Sequence, residues 1–364
     1  MRRRLAHLLI FVGAIASPIW AGPILSIVDL GTLPGGLTGA AINSKGQVAG
    51  YGIDANGNLQ AFASSTGIIT PASANSASAH GINGNGQVAG TINVGVTSQA
   101  VLWVNGAAQQ LGGLGGADSF GLAVNDRGQA VGMATTTEGT GRAVLFSDGN
   151  VLDVAPPGSA WSSAYAINSS GAVAGYSMDP LMNYRAFIWT AGSGAVQLGA
   201  MGGSNSYASG VNDANQVVGH STVASGFTHA FIWDGTLGFR DLGTLGGLNS
   251  YGYGINNSGS VVGYSNTAGG DPHAFVYISG ILFDLNSLLK DAGGWTLTHA
   301  YAINDAGQIT GVGTLDGVAH AFRLDPLATG GLNSAEGAVP EPGTFVLVLA
   351  GGGFAFVLRR RFGS

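Results

Sequence analysis

The chain has 364 residues, of which 64 are glycine, with no cysteine and only 9% charged residues. This composition argues against helical bundles and coiled coils, and it fits many short strands joined by tight turns. The absence of cysteine excludes disulfides, thiolate metal sites and cysteine nucleophiles. Between residues 22 and 340, seven basic residues stand against 18 acidic ones, and this net charge of −11 argues against nucleic acid as a partner.

The first 21 residues have the layout of a secretory signal peptide. Three arginines at positions 2–4 precede an apolar run over residues 5–15, and small residues up to Ala21 offer a cleavage site. We therefore expect residues 1–21 to direct export and to be removed. A buried first helix is the alternative interpretation of this segment.

The body of the chain, residues 22–328, is an internal repeat. One phrase consists of Ile or Val, then Asn, with a Gly three residues after the Asn in six units and a second Gly seven residues after it. An Asn side chain can close a turn on the backbone ahead of it, and a Gly with positive φ can complete that turn, so the phrase predicts a strand, a tight turn and a returning strand. Its Asn recurs seven times at intervals of 40 to 48 residues, at Asn43, Asn83, Asn125, Asn168, Asn212, Asn256 and Asn304.

Two further phrases complete each unit. About 17 residues after the Asn comes His-Ala-Phe or a variant of it, rich in β-branched and aromatic residues, which predicts a third strand. The stretch leading into Asp-Leu-Gly predicts a fourth strand. Four short strands in 40 to 48 residues are typical of one β-propeller blade. The sequence therefore predicts an all-β protein with seven blades, and a β-solenoid is the alternative.

The two ends of the repeat predict how the ring closes. Residues 24–30 form a fourth-type strand with no unit before it, whereas the last unit provides no fourth strand after Leu324. Pairing of the opening strand with the last unit would close the ring without a covalent bond and hide the open sheet edges. A solenoid would leave this opening strand unexplained.

The C-terminal residues have the order of a sorting signal. Residues 329–339 form a polar linker, and the segment 340–364 begins with Pro340, Glu341 and Pro342. An apolar stretch over 343–358 follows, which predicts a short transmembrane helix. A basic cluster would hold its far end in the cytoplasm, and it consists of Arg359, Arg360 and Arg361.

This order closely resembles a PEP-CTERM sorting signal. The resemblance implies recognition by an exosortase-type membrane protease, a transient anchor in the inner membrane through the helix, cleavage near the motif, and release to the cell surface or exterior. A permanent C-terminal anchor is the alternative.

The repeated phrases resemble the HAF-type extracellular repeat over roughly residues 24–326. All seven units match at the Ile/Val-Asn position, and three retain the His, at His229, His273 and His320. The resemblance implies export and little established chemistry. Equivalent positions in a propeller are spread around a ring, so these histidines are predicted to form hydrogen bonds rather than a shared metal site.

Other candidate functional residues are few. Asp126, Asp213 and Asp305 follow the repeated Asn, and we expect them to be hydrogen-bonding turn residues, although the sequence leaves calcium binding by these carboxylates open. Three aromatic residues between the repeat phrases are expected to pack under loops, with stacking on sugar rings as the alternative: Trp161, Tyr184 and Trp295.

These patterns predict an exported, non-catalytic protein that binds or scaffolds in the cell-surface or exopolysaccharide matrix of a biofilm. The expected partners are an exosortase-type protease, the membrane before processing, and an extracellular polysaccharide. No catalytic residue, cofactor or nucleic-acid partner is predicted. The alternatives are an enzyme that acts on an extracellular glycan through loop Asp residues, and a passive structural subunit.

Overall fold

The computed structural model describes residues 24–327, which form 28 strands in seven four-stranded antiparallel sheets. The first strand along the chain is β1 (Leu25–Asp29). The next twelve strands make three sheets: β2 (Leu37–Ile42), β3 (Val48–Ile53), β4 (Leu59–Ala63), β5 (Gly67–Ile68), β6 (Ser76–Ile82), β7 (Val88–Val94), β8 (Thr97–Val104), β9 (Ala107–Gln110), β10 (Gly115–Val124), β11 (Ala130–Thr136), β12 (Gly141–Ser147) and β13 (Asn150–Asp153).

The remaining strands make four further sheets, the last of which is completed by β1. They are β14 (Trp161–Ile167), β15 (Val173–Met178), β16 (Tyr184–Thr190), β17 (Gly194–Gly199), β18 (Gly202–Val211), β19 (Val217–Val223), β20 (Thr228–Asp234), β21 (Gly238–Asp241), β22 (Gly246–Ile255), β23 (Val261–Thr267), β24 (Pro272–Ile278), β25 (Ile281–Asp284), β26 (Trp295–Ile303), β27 (Ile309–Leu315) and β28 (Val318–Pro326). A short 3₁₀ helix, Leu285–Leu288, follows β25. Within residues 24–327, no helix is long and apolar enough to cross a membrane.

The seven sheets radiate from one axis as the blades of a propeller. The first strand of each sheet contacts the first strand of the next, and that of the seventh sheet contacts that of the first. We number the blades 1–7 by these innermost strands, which are β2, β6, β10, β14, β18, β22 and β26. The predicted seven-bladed β-propeller is therefore confirmed, and the solenoid alternative is wrong.

The opening strand closes the ring. β1 pairs antiparallel with β28, with Leu25 opposite Pro326 and Asp29 opposite Phe322, and so becomes the fourth strand of blade 7. The Leu25 side chain is fully buried. The structure thus confirms closure by an N-terminal strand. The predicted signal peptide (1–21), linker (329–339) and sorting segment (340–364) lie outside the described residues.

Packing between the blades stabilises the ring. A hydrophobic cluster lies between each pair of neighbouring blades, including blades 7 and 1, where Ala321 meets Leu37, Val48 and Phe62. The Ala of the His-Ala-Phe phrase is nearly or fully buried in every blade, and the residue after it is buried too. Burial of this apolar surface is the main favourable contribution in a protein without disulfides.

The second Gly of the Asn phrase allows two strands to approach closely. A Cβ built on Gly219 would collide with the carbonyl oxygen of Tyr207 on the neighbouring strand of the same blade. The same collision with a main-chain oxygen would occur at the equivalent glycine of every other blade, namely Gly50, Gly90, Gly132, Gly175, Gly263 and Gly311. This Gly is therefore required by space rather than by a positive φ.

Candidate functional site: a cavity on the propeller axis

The seven repeated Asn side chains mark one end of the axis, which we call the Asn end. Their Oδ1 atoms accept backbone N–H groups ahead in the turn: Asn212 accepts from Ala214 at 3.1 Å and from Gln216 at 3.0 Å. The residue three positions after the Asn has positive φ in each blade, and in blade 5 it is Asn215 instead of Gly. These side chains therefore close the hairpin between the first two strands of each blade.

The same Asn side chains also join the blades to one another. Each Nδ2 donates to the main-chain carbonyl of the Asn in the next blade, at 2.9 to 3.2 Å, and the seventh bond, from Asn304 to Asn43, completes a circle. All seven side chains are buried. We call this arrangement the Asn ring. It gives the repeated Asn a structural role in every blade, since it supplies turn closure and inter-blade pairing at once.

The acidic residues after the Asn reinforce this ring. Asp126 accepts the backbone N–H of Gly84 at 2.6 Å, and Asp305 accepts that of Asn257 at 2.8 Å. Asp213 accepts the backbone N–H of Ser169 at 3.0 Å. Although partial burial opposes it, hydrogen bonds from Ser169 and Asn257 lower the pKa of Asp213 below its ordinary value. Within residues 24–327, no group of three or more His, Asp or Glu has an arrangement suited to a metal ion.

The repeated phrases of the third and fourth strands meet near the opposite end, which we call the His end. His229 Nδ1 lies 2.8 Å from Asp241 Oδ2, and His273 Nδ1 lies 2.6 Å from Asp284 Oδ2. In blade 7, His320 Nδ1 lies 3.0 Å from an oxygen of Asp29. These histidines are spread over three blades, and each binds the Asp of its own Asp-Leu-Gly position, so they do not converge on one site.

Every innermost strand contains a β-bulge at the residue three positions before its Asn. The pairing with the second strand skips this one residue in each blade. A bulge turns a side chain out of the regular alternation, and here all seven bulged residues line one cavity on the axis. They are Ala40, His80, Leu122, Tyr165, Ser209, Tyr253 and Tyr301.

The axial cavity has a volume of about 620 Å³. Besides the bulged residues, its wall consists of Thr38, Tyr51, Tyr176, Tyr207, Ala208 and His220, so that six tyrosines and two histidines face it. None of the lining residues is Asp, Glu, Lys or Arg. Toward the Asn end, the next layer along the strands is a ring of Ile and Val residues that precede the Asn.

Aromatic rings are concentrated on one side of this cavity. In blades 4 to 7 they form a continuous series of contacts, for example Tyr207 to His220 at 4.8 Å between ring centroids and His220 to Tyr251 at 4.9 Å. Tyr251 stacks on Tyr264 at 4.7 Å, and Tyr264 lies 4.3 Å from His299. Nine of the ten tyrosines of the chain belong to the cavity wall or touch it. Of the lining residues in blades 1 to 3, Tyr51 and His80 are aromatic, whereas Thr38, Ala40 and Leu122 are small or aliphatic.

Burial favours the neutral forms of several titratable groups in and beside the cavity. Burial lowers the pKa of His80 and of His220 to about 4. Burial, together with neighbouring phenols, raises the pKa of Tyr264 and Tyr301 to about 12. Nδ1 of His220 is buried and has no hydrogen-bond partner among the described residues. The wall therefore carries hydroxyl and imidazole dipoles but no net charge at neutral pH.

The three predicted surface aromatics have different surroundings. Trp295 is buried, and its ring lies against His320 and Phe322, so its faces are not available to a sugar. Trp161 and Tyr184 contact the cavity residue Tyr176 at 5.6 and 5.8 Å. The cavity tyrosines themselves were not singled out from the sequence. The sequence contains a pattern that could have indicated them. The position three residues before the Asn varies between repeats, whereas the positions next to it carry similar residues in every unit.

Comparisons with known proteins match the two parts of the chain separately. Residues 338–361 match the family model of the PEP-CTERM protein-sorting motif. The C-terminal motif is therefore present, and it implies an exported protein sorted by an exosortase-type system. No curated protein matches the chain.

Solved structures similar to the body are propellers of low sequence identity. TolB from Acinetobacter baumannii is 13% identical with a TM-score of 0.42, over 67% of this chain and 64% of that one. BP39L lectin from Burkholderia pseudomallei is 9% identical with a TM-score of 0.42, over 84% and 98%. Puromycin hydrolase is 13% identical with a TM-score of 0.49, over 83% of this chain and 51% of that one. This chain thus spans less than two thirds of TolB and about half of puromycin hydrolase, and the likeness concerns the fold alone.

Proposed function

We propose that this chain is an exported protein of HAF-type repeats that binds a component of the cell-surface or exopolysaccharide matrix without catalysing a reaction. The observation that carries the binding role is the wall of the axial cavity. It is aromatic and uncharged, and its volume falls within the range of about 300 to 1,000 Å³ found for small-molecule sites.

The chemistry of the cavity wall supports a non-catalytic role. General acid–base catalysis works best with groups whose pKa lies near the working pH. The pKa of His80 and that of His220 lie near 4, and that of Tyr301 near 12, so these groups are poor proton carriers at neutral pH. The carboxylates Asp126, Asp213 and Asp305 line the mouth at the Asn end and accept hydrogen bonds from neighbouring blades.

A fractionation experiment tests the binding role. The chain is expressed in an exporting host that makes a matrix, and its amounts in the membrane, the matrix and the medium are compared. We expect the processed protein to remain with the matrix and to be released when the polysaccharide is digested. Release of reducing ends from matrix glycans by the purified protein would favour the enzyme alternative. Binding that requires calcium would favour a cation site at the three carboxylates of the Asn end.

A second experiment tests sorting. Replacing Pro340, Glu341 and Pro342 together by alanine removes the motif while leaving the apolar stretch and the arginines intact. We expect the unprocessed chain to accumulate in the inner membrane, as judged by its larger mass and by fractionation. Replacing three residues of the linker, such as Leu332, Asn333 and Ser334, is the matched control. Unchanged processing of the motif variant would contradict cleavage by an exosortase-type protease.

A further inference from the structure

We infer that the axial cavity is a binding site for a neutral saccharide, entered by a chain end or a short side branch. This inference rests on the proposed binding function and adds to it the place of the site and the chemical class of the ligand.

The first observation is the absence of charge in the wall. None of the thirteen lining residues is Asp, Glu, Lys or Arg. Moving an ionised group from water into such surroundings without a charged partner is costly. Uronic acids, phosphorylated sugars and protonated amino sugars therefore fit the cavity poorly, whereas a neutral molecule enters without this cost.

The second observation is the alternation of ring faces and polar tips. Six tyrosines, together with Thr38 and Ser209, present hydroxyls, and His80 and His220 present imidazole nitrogens. Tyr165 and Tyr176 hydrogen-bond each other, and His80 bonds Ser78, but Nδ1 of His220 has no partner among the described residues. An entirely apolar ligand would leave this nitrogen unpaired once it had displaced water. Sugars have apolar C–H faces that pack on aromatic rings and hydroxyls that hydrogen-bond, so they satisfy both kinds of surface.

The third observation is how the aromatic residues are distributed. A wall that only filled space could repeat one side chain in all seven blades, as the Asn ring does. Instead, the bulged position holds Tyr in three blades and Ala or Ser in two others. Ser209 of blade 5 stands between blades that carry Tyr165 and Tyr253, and Ala40 of blade 1 follows the blade that carries Tyr301, so these small residues leave space beside the tyrosines. This asymmetry is expected of a site shaped for one ligand orientation.

The fourth observation concerns the far side of the cavity. Toward the Asn end lies the ring of Ile and Val side chains, which includes Ile42, Val124 and Ile303. Aliphatic side chains offer no hydrogen bonds to a hydroxyl-rich polymer passing through them. The site is therefore suited to the end of a glycan or to a side branch rather than to a chain threaded through the propeller.

A calorimetric titration of the purified full-length chain tests the inference. The probes are neutral tetrasaccharides of glucose, galactose and mannose, with tetragalacturonate as the charged comparison. We expect at least one neutral tetrasaccharide to bind at least tenfold more tightly than tetragalacturonate. Tighter binding of the charged probe, or no binding of any neutral probe, would overturn the inference.

Two sets of variants place the ligand in the cavity. Ala40→Trp fills the space at a bulged position where other blades carry Tyr or His, and we expect at least a tenfold loss of affinity. The control is Ala107→Trp on the exposed outer strand β9, which should bind as the parent does.

Tyr301→Phe removes one cavity hydroxyl and should weaken binding about two- to tenfold. Its control, Tyr277→Phe, alters the one tyrosine that lies away from the cavity, in the cleft between blades 5 and 6.

The outcomes separate this inference from the proposed function. Full affinity of a folded Ala40→Trp variant, with circular dichroism and a melting temperature close to those of the parent, would show that saccharides bind elsewhere. The cavity site would then be wrong, while matrix binding would stand. If no neutral probe binds and the protein is also not retained in the matrix, both the inference and the proposed function fail.

Discussion

The Asn ring and the axial cavity are built from the same seven repeats, only a few residues apart along each innermost strand. The residue type is constant in the ring and varies in the cavity. The ring uses the same residue in every blade, because each Asn makes the same turn and the same bond to the next blade. At the bulged position three residues earlier, five different residue types occur. The residue that is the same in every blade holds the blades together, and the position that varies lines the cavity.

The largest expected effect concerns the spacing that underlies both regions. Gly219→Ala would place a methyl group against the main-chain oxygen of Tyr207, and neither backbone can yield without distorting blade 5. We expect a loss of about 4 kcal/mol in the free energy of unfolding, measured by urea denaturation. Gly192→Ala is the control, because a Cβ there meets no atom within 4 Å and its φ is not positive. Equal stabilities of the two variants would contradict the close-approach argument.

The next effect tests the Asn ring. Asn212→Ala removes the bonds to Gln216 and to the carbonyl of Asn256, and leaves the latter buried group without this donor. We expect a loss of about 3 kcal/mol in the free energy of unfolding, since the N–H groups of Ala214 and Gln216 lose their acceptor and each lost hydrogen bond costs about 0.5 to 1.5 kcal/mol. Asn150→Ala, at an exposed position of the outer strand β13, should change stability by less than about 0.5 kcal/mol. A ring variant as stable as this control would remove the basis for the ring's structural role.

A pH titration of stability probes the neutral cavity. The pKa of His220 is about 4 in the folded state and 6.5 in its ordinary range, so the imidazole favours folding fully above pH 6.5. Its contribution is lost as the pH falls from about 6.5 to about 4, where the unfolded chain binds the proton first. His220 faces the rings of Tyr207 and Tyr251, and burial raises the pKa of Tyr207 above its ordinary value.

His220→Tyr makes blade 5 resemble blades 1, 4 and 6, which carry Tyr at this position. We expect the fall in the free energy of unfolding between pH 7 and pH 4 to be smaller by about 2 kcal/mol in this variant. His80→Tyr should behave similarly, because its pKa is lowered to the same value by burial. A pH dependence identical to that of the parent in both variants would contradict the buried, neutral state of the two imidazoles.

The smallest expected effect on stability is at the cavity tyrosines. Tyr301→Phe keeps the aromatic ring that contacts Tyr253 and removes only the hydroxyl. We expect the free energy of unfolding to change by less than about 1 kcal/mol, measured by the same urea denaturation. A loss as large as that of Asn212→Ala would show that the hydroxyl stabilises the fold. It would contradict the distinction between a structural Asn ring and a cavity whose hydroxyls are not needed for stability.

Much of the fold could be predicted from the sequence because its causes are local. The Asn turn, the Gly with positive φ and the alternating strands depend on residues within one unit, and seven units therefore predict seven blades. Closure was also predictable, since Leu25–Asp29 is a fourth strand without a unit of its own. The pairing of the His and Asp phrases was harder to predict from the sequence, because the partner of His320 is Asp29, near the other end of the described chain.

Repetition in the sequence thus determined the blade count, the turn chemistry and the strand that closes the ring, since each follows from short-range hydrogen bonding and side-chain periodicity. Only the tertiary structure decided that Tyr165, Tyr253 and Tyr301 face one another around a common cavity. Their convergence depends on a bulge in each innermost strand and on the closure of seven blades around an axis. No spacing within a single unit encodes how close these side chains come to one another, because the ring of seven blades as a whole sets their separation.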